Sequence, residues 1–377
     1  MENRKECIGW VDWLRVAACF CVVLAHCCDP FVASFENDAQ AFYTGVFTGS
    51  LLRPSVPLFV MITGLLLLPV KTDMRGFYRK RIGRLIYPLV FWSLVLPLIY
   101  YGYLNFINPE TQNAALSMSE HTWEETVKKF VGFIFNFNYD TTPMWYLYML
   151  VGLYLVMPIV SGWLEKASRN DLRLFLSIWG ISLLLPYIKI VAPFIGYTGN
   201  FGNMGLWGVC DWNEFGALYY FSGFIGYMLL GYYLVKYPLQ WSWSKMLSIT
   251  VPMFVAGYLV TSFGFVEMQK WFPGNYAYLE IIWYFSNINV FMMTFPVFVL
   301  FQKLNAASSP LISRVASATF GIYLCHFVFV SVSYDLYNTG MFHPVIHILL
   351  MAVTAFAVSF VIVRFMQMWK VTNRFVR

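Results

Sequence analysis

The sequence predicts an all-α, polytopic integral membrane bundle of about ten transmembrane helices, with both termini cytoplasmic. Three observations carry that prediction. Of 377 residues, 59% are hydrophobic, 20% aromatic and only 12% charged, whereas soluble domains carry roughly 25% charged residues. Apolar segments near 20 residues recur along the whole chain, each long enough for about 30 Å of hydrocarbon. The basic residues, finally, alternate from one side of these segments to the other in a strongly unequal way.

In chain order the predicted spans are 11–30, 51–70, 85–105, 143–163, 172–190, 213–235, 246–264, 278–301, 313–334 and 343–365. With the N-terminus inside, the inner side receives "MENRKE", "KTDMRGFYRKRIGR", "EKASRNDLR", "KYPLQWSWSK", "QKLNAASSPLISR" and "KVTNRFVR". Together with Arg15 and Arg364 at helix ends, these hold 20 of the 25 basic residues. The other five, Arg53, Lys128, Lys129, Lys189 and Lys270, fall outside. That asymmetry sets the orientation.

Two outer connections are long. Residues 106–142 contain "HTWEETVKKFVGFIFNFNYDTTP", whose central part reads as a short amphipathic or re-entrant helix at the interface. Residues 191–212 are rich in Gly, Asn and aromatics, a loop that either lines a site or rests on the headgroups. The chain reads as a single membrane domain, 1–377, with no appended soluble domain, GxGxxG turn or P-loop. Residues 10–30 lack a small-x-small cleavage site and read as a span, not a signal peptide. The formal charge of +6 is spread over inner loops, which points to topology and not to nucleic acid. Cysteines such as Cys19, Cys21, Cys27, Cys28 and Cys325 sit in apolar runs, so neither a disulfide framework nor a metal site is expected.

The first span, "WVDWLRVAACFCVVLAHCC", holds Asp12, Arg15 and His26. Arg15 and His26 are eleven positions apart, which is about 16 Å along a helix and about 20° from a common face. Arg15 then lies near the cytoplasmic edge, with His26 deeper on the same stripe. Each has an ordinary explanation, snorkelling for Arg15 and a helix-packing hydrogen bond for His26. Their shared face favours a joint role, a lane with a cation at its inner mouth and a proton acceptor at its end. Asp12 can pair with Arg15 at i,i+3. The orienting acceptor for His26 is open among Asp29, Asp211, Glu214 and Glu280.

His326, in "ATFGIYLCHFVF", lies at a depth close to that of His26. Paired imidazoles can ligate haem, although the usual two histidines on one helix are missing. His121, His343 and His347 read as surface or packing residues. Arg79, Lys80, Arg81 and Arg84 form the densest basic cluster, explained by topology and anionic lipid or by a phosphate-bearing cytosolic donor. Gly64, after Thr63, permits close helix contact. Trp145 is placed at the interface beside Pro143 in the first turn of a helix, and Arg53 at the outer end of the second span.

Five elements in order resemble the membrane-bound acyltransferase-3 family, whose members transfer acetyl and related acyl groups to cell-surface sugars. "DWLRVAACFCVVLAH" has its Arg-x10-His arrangement, and "VPLFVMITGLLLL" resembles its FF-x-x-SG element, with Val60 and Thr63 as small departures. "RKRIGRLIYP", "MWYL" and "ATFGIYLCH" complete the likeness, which covers nearly the whole chain. The resemblance implies that His26 is catalytic, that Arg15 serves the acyl-CoA side, and that Arg79, Arg81 and Arg84 lie near the CoA phosphates. His326 matches the late-span histidine. Asp12, Arg53, Trp145, Glu280 and His326 are supporting candidates.

The expected function is therefore transfer of an acyl group, acetyl first, from cytosolic acyl-CoA to a hydroxyl of a cell-surface or lipid-linked sugar. Acyl-CoA is a co-substrate and no cofactor is permanently bound; the partners are that donor, a sugar, glycolipid or polysaccharide, and membrane lipid. The location is the plasma membrane, a bacterial inner membrane. The rival is a transporter or flippase of a lipid-linked glycan, for which an internal repeat with interrupted helices would be expected.

Overall fold

The computed structural model describes residues 3–134, 138–191, 196, 215–338 and 340–377, with backbone alone for 3–8, 276 and 277. Its helices are α1 (Asn3–Val32), α2 (Ala39–Leu51), α3 (Ser55–Leu67), α4 (Met74–Gly102), α5 (Trp123–Gly132), α6 (Trp145–Leu164) and α7 (Arg169–Ser182). They continue with α8 (Ile188–Val191), α9 (Phe224–Lys236), α10 (Trp243–Trp271), α11 (Tyr276–Trp283), α12 (Ile288–Leu304), α13 (Pro310–Tyr337) and α14 (Pro344–Met366). The architecture is all-α, and among the described residues nine helical segments are long and apolar enough to cross a membrane.

The tenth expected span, 213–235, is represented by α9, which has 13 residues. At 1.5 Å per residue that is about 20 Å, short of the hydrocarbon thickness. It starts at Gly223, whose φ of +74° is a left-handed conformation that breaks the chain direction after the short turn Gly216–Phe221. The second span also differs from expectation. It is one apolar stretch, Ala39–Leu67, broken into α2 and α3 around Leu52–Pro54. Pro54 lacks an N–H and disfavours helix in the residue before it, so the break falls there. The third begins earlier than predicted, because Asp73 caps α4 by accepting from the Gly76 N–H at 2.9 Å. The basic segment 79–84, expected to be a loop, is therefore helix. The amphipathic helix expected within 106–142 is α5, capped by Thr122. The loop 191–212 lies almost wholly outside the described residues, as do Asp211 and Glu214.

Two compact units divide the chain: 1–52, 70–158 and 307–377 in one, 53–69 and 159–306 in the other. In the first, α13 is the core element, buried on most of its length from Ala316 to Ser333 and packed on α1, α4 and α14. Lipid tails are as apolar as Leu, so burial of apolar surface gives little net drive here; close packing and interhelical hydrogen bonds do the holding, each bond at about 0.6 kcal/mol and up to about 1.7. Asp12 Oδ2 accepts from Ser313 Oγ (2.7 Å) and Ser308 Oγ (2.9 Å), tying α1 to the start of α13. Tyr323 Oη donates to the Pro143 carbonyl at 2.6 Å, joining α13 to the entry of α6. Tyr103 Oη donates to Asp335 Oδ2 (2.7 Å), which also accepts from Thr111.

In the second unit α3 and α9 approach until backbone meets backbone. A Cβ on Gly64 would lie 1.9 Å from the Met228 carbonyl oxygen, and one on Gly231 would lie 2.2 Å from that of Met61. The contact is reciprocal and tolerates no side chain at either position, as the sequence led one to expect for Gly64.

Candidate active site

Helix α1 is continuous through Arg15 and His26, so the two do share one helix and nearly one stripe. Its apolar residues seat it on α13, α2 and α14, and Asp12, Arg15, His26 and Asp29 each have a polar partner. Arg15 Nη1 lies 3.8 Å from Asp12 Oδ1, the expected i,i+3 pair. Asp12 is 5% exposed, and its other oxygen is committed to Ser308 and Ser313. It acts first as a clamp on α13.

One turn before the end of α1, His26 Nδ1 is 2.8 Å from Asp29 Oδ2. A carboxylate only accepts, so Nδ1 carries a proton, and in the neutral imidazole the lone pair is then at Nε2. Of the carboxylates considered from sequence, Asp29 meets His26; Asp211 and Glu214 lie outside the described residues. Both side chains are partly open, at 21% and 37% exposure.

The wall opposite His26 comes from α13. The His326 ring centroid is 5.3 Å from that of His26, tilted by 38°, and the Phe327 ring meets His26 edge-on at 5.0 Å. Similar depth was legible in the sequence; contact was not. The rings touch each other, which leaves no room for iron and a porphyrin between them. Tyr139, in the turn Tyr139–Met144 that leads into α6, packs on Phe327 at 5.0 Å.

That turn is held by a group that sequence reasoning missed. His121 and Asp140 are 1% and 0% exposed. His121 Nε2 meets Asp140 Oδ1 at 2.7 Å, its Nδ1 donates to the Ser117 carbonyl at 2.7 Å, and Lys129 Nζ donates to Asp140 Oδ2 at 2.8 Å. His121 was assigned a surface or packing role, and the packing half of that holds. The available signal was Asp140 itself, a lone carboxylate at the head of an apolar span. His343, exposed, caps α14, and His347 packs between Phe31 and Tyr334, a surface and a packing role respectively.

The basic cluster sits on the first three turns of α4. At 100° per residue, Arg75 and Arg79 share one face, whereas Arg81 and Arg84 lie on roughly the opposite one. Arg75, Arg79, Met74 and Tyr78 line an open cleft of about 640 Å³. Among the described residues no carboxylate pairs with Arg75, Arg79, Arg81 or Arg84. The four arginines thus leave un-neutralised positive charge on both faces of the N-terminal part of α4. No described contact joins them to Arg15, whose ionic partner is Asp12.

Trp145 opens α6, half-buried, with its ring 6.1 Å from Tyr146 and no described contact to His26. Arg53 and Glu280 belong to the second unit. There the Arg53 guanidinium lies 3.8 Å over the Trp283 ring, and Glu280 is exposed on α11.

Comparison with curated proteins and with solved structures yields no match. Residues 8–364 match the acyltransferase domain of the acyltransferase-3 family, and that span includes α1 with Arg15 and His26, the α4 cluster and His326. A multi-pass helical membrane protein matched over nearly all its length in this way belongs to the membrane-bound acyltransferase-3 family, enzymes that use acyl-CoA to O-acylate membrane and cell-surface substrates.

Proposed function

We propose that the protein transfers an acetyl group from cytosolic acetyl-CoA to a hydroxyl of a cell-surface or lipid-linked sugar. It does so from a plasma membrane, the inner membrane of a bacterium, with both termini in the cytoplasm. The observation that carries this reading is the 2.8 Å hydrogen bond from His26 Nδ1 to Asp29, which leaves Nε2 free as a base in a partly open site.

In the proposed reaction, His26 Nε2 takes the proton of the sugar hydroxyl as its oxygen attacks the thioester carbonyl carbon. The C–S bond then breaks, and the CoA thiolate takes the proton back from His26. Asp29 fixes the tautomer and offsets the positive charge that forms on the ring. Arg15 and the α4 arginines hold the donor's phosphates, and binding both partners at one imidazole supplies proximity. Exposed arginines without carboxylate partners support the donor end of this reading.

The test is incubation of the purified protein in detergent with labelled acetyl-CoA and a membrane glycolipid. Labelled ester without a sealed compartment is the expected product. Its absence, with labelled glycolipid moving across reconstituted vesicles instead, would overturn the proposal. His26→Ala should insert normally and transfer nothing; transfer by that variant would remove His26 from the mechanism.

A further inference from the structure

Three helix ends meet on one side of the second unit. Helix α9 ends at Lys236, α10 starts at Trp243 and α12 ends at Leu304. Gln302 Nε2 donates to the Leu234 carbonyl and Lys303 Nζ to the Trp241 carbonyl, both at 2.9 Å, which ties the end of α12 to the α9–α10 connection. The segments Trp243–Trp271 and Tyr278–Leu304 are each long and apolar enough to cross a membrane. The start of one and the end of the other therefore mark one membrane surface, and Tyr237, Trp241 and Trp243 supply the aromatic rings usual at that depth.

Lys236, Lys245 and Lys303 are exposed there. Lys236 Nζ lies 5.5 Å from the Tyr237 ring centroid, Lys245 Nζ 5.8 Å from that of Trp241, and Lys303 Nζ 6.0 Å from that of Trp243. A ring attracts a cation without cancelling its charge. Among the described residues no carboxylate pairs with any of the three. The sequence shows why: no Asp or Glu lies between Glu214 and Glu267, or between Glu280 and Asp335. Helix C-termini favour Lys236 and Lys303 where they stand, but Lys245 is in the first turn of α10, against the helix dipole.

The bias of basic residues toward one side of the membrane accounts for lysines on this surface, but not for a cavity among them. Pro238, Trp241, Met246 and Val299 form the apolar part of a cavity of about 190 Å³, and Gln302 and Lys303 its polar part. That is smaller than the roughly 300 Å³ at the low end of pockets for drug-sized ligands, so it suits a headgroup and not a whole nucleotide. Lys303 spends one of its three hydrogens on the Trp241 carbonyl, and the other two have no acceptor among the described residues.

We propose that this cavity is a binding site for the headgroup of an anionic phospholipid. The phosphodiester sits between Lys303 and Lys245, and the glycerol and first methylenes lie against Trp241, Met246 and Val299. Lys236 adds to the same positive field from the end of α9. The bound lipid supplies the counter-charge that the chain lacks here, and it bridges the ends of α9, α10 and α12. The site is separate from the arginines of α4 and does not depend on the catalytic role of His26.

Native mass spectrometry of the detergent-purified full chain, titrated with phosphatidylglycerol or with phosphatidylcholine of the same acyl chains, tests this. One phosphatidylglycerol should be held about 10-fold or more tightly than phosphatidylcholine. Lys245→Glu combined with Lys303→Glu should abolish that preference, whereas Arg79→Ala should keep it. Lys245→Gln should lower it about 3- to 10-fold; the Lys245 side chain makes no hydrogen bond among the described residues, so this variant leaves the fold intact. Equal binding of the two lipids by the wild-type chain, or an unchanged preference in both lysine variants, would overturn the proposal. Displacement of the lipid by excess acetyl-CoA would assign the cavity to the acyl donor, and displacement by inorganic phosphate would assign it to a small anion; either result overturns it.

Discussion

Asp29 stands one helical turn beyond His26 with its Oδ2 2.8 Å from Nδ1, and the pair is built entirely within α1. No tertiary contact is needed to assemble it, although one is needed to close the site from the α13 side. Asp29→Asn should lower kcat about 10- to 100-fold, with KM for acyl-CoA little changed. The effect is smaller than for a buried dyad because Asp29 is 37% exposed and water shares its role. Steady-state kinetics on the purified variant measures it; an unchanged kcat would remove Asp29 from the mechanism.

Donor binding is predicted to divide by face of α4. Arg79→Ala, in the cleft with Arg75 and Tyr78, should raise KM for acetyl-CoA about 3- to 10-fold while leaving kcat near wild type. An acetyl-pantetheine thioester without phosphates should be insensitive to the change. If Arg84→Ala alone produced the effect, the donor would lie on the other face.

Arg15 and Asp12 should separate in their consequences. Arg15→Ala is expected to weaken acyl-CoA use, read as KM. Asp12→Ala is expected to lower thermal stability in detergent, because it strands the hydroxyls of Ser308 and Ser313 and releases α1 from α13. An Asp12 variant with wild-type melting and altered KM would reverse that assignment.

The layer built on the buried His121–Asp140–Lys129 group gives a stability prediction. Asp140→Ala leaves His121 and Lys129 without their common partner and should cost about 3–5 kcal/mol, seen as loss of several degrees in melting temperature. Because Tyr139 rests on Phe327 beside His26, activity should fall with it. A variant that melts like wild type would show the layer to be held by other contacts.

Much of this was readable from residue order where the relevant spacing is local. Arg15 and His26 on one stripe, Asp12 beside Arg15, and Gly64 as a close-contact position all follow from helical periodicity and side-chain size. The division of Arg79 from Arg81 and Arg84 was readable too, once helix replaced loop, but the cap at Asp73 had to be recognised first. What could not be read is tertiary. His121 and Asp140 are separated by the whole of α5, and each looks ordinary alone. His326 was visible as a histidine at the right depth, yet its contact with His26 depends on how α13 rolls against α1. The shortness of α9 was hidden because apolar residues before Gly223 continue the hydropathy of a span that the backbone does not continue.

The reciprocal glycine contact has a bearing on how the chain is made. A 13-residue helix has too little length to hold a place in the bilayer when it emerges from the ribosome. Helix α3 is already made by then, and its backbone carbonyl at Met61 abuts Gly231 while that of Met228 abuts Gly64. Seating α9 is thus a late assembly event that waits on a surface synthesised long before, and a bulky residue at either glycine would be felt first as a defect in biogenesis.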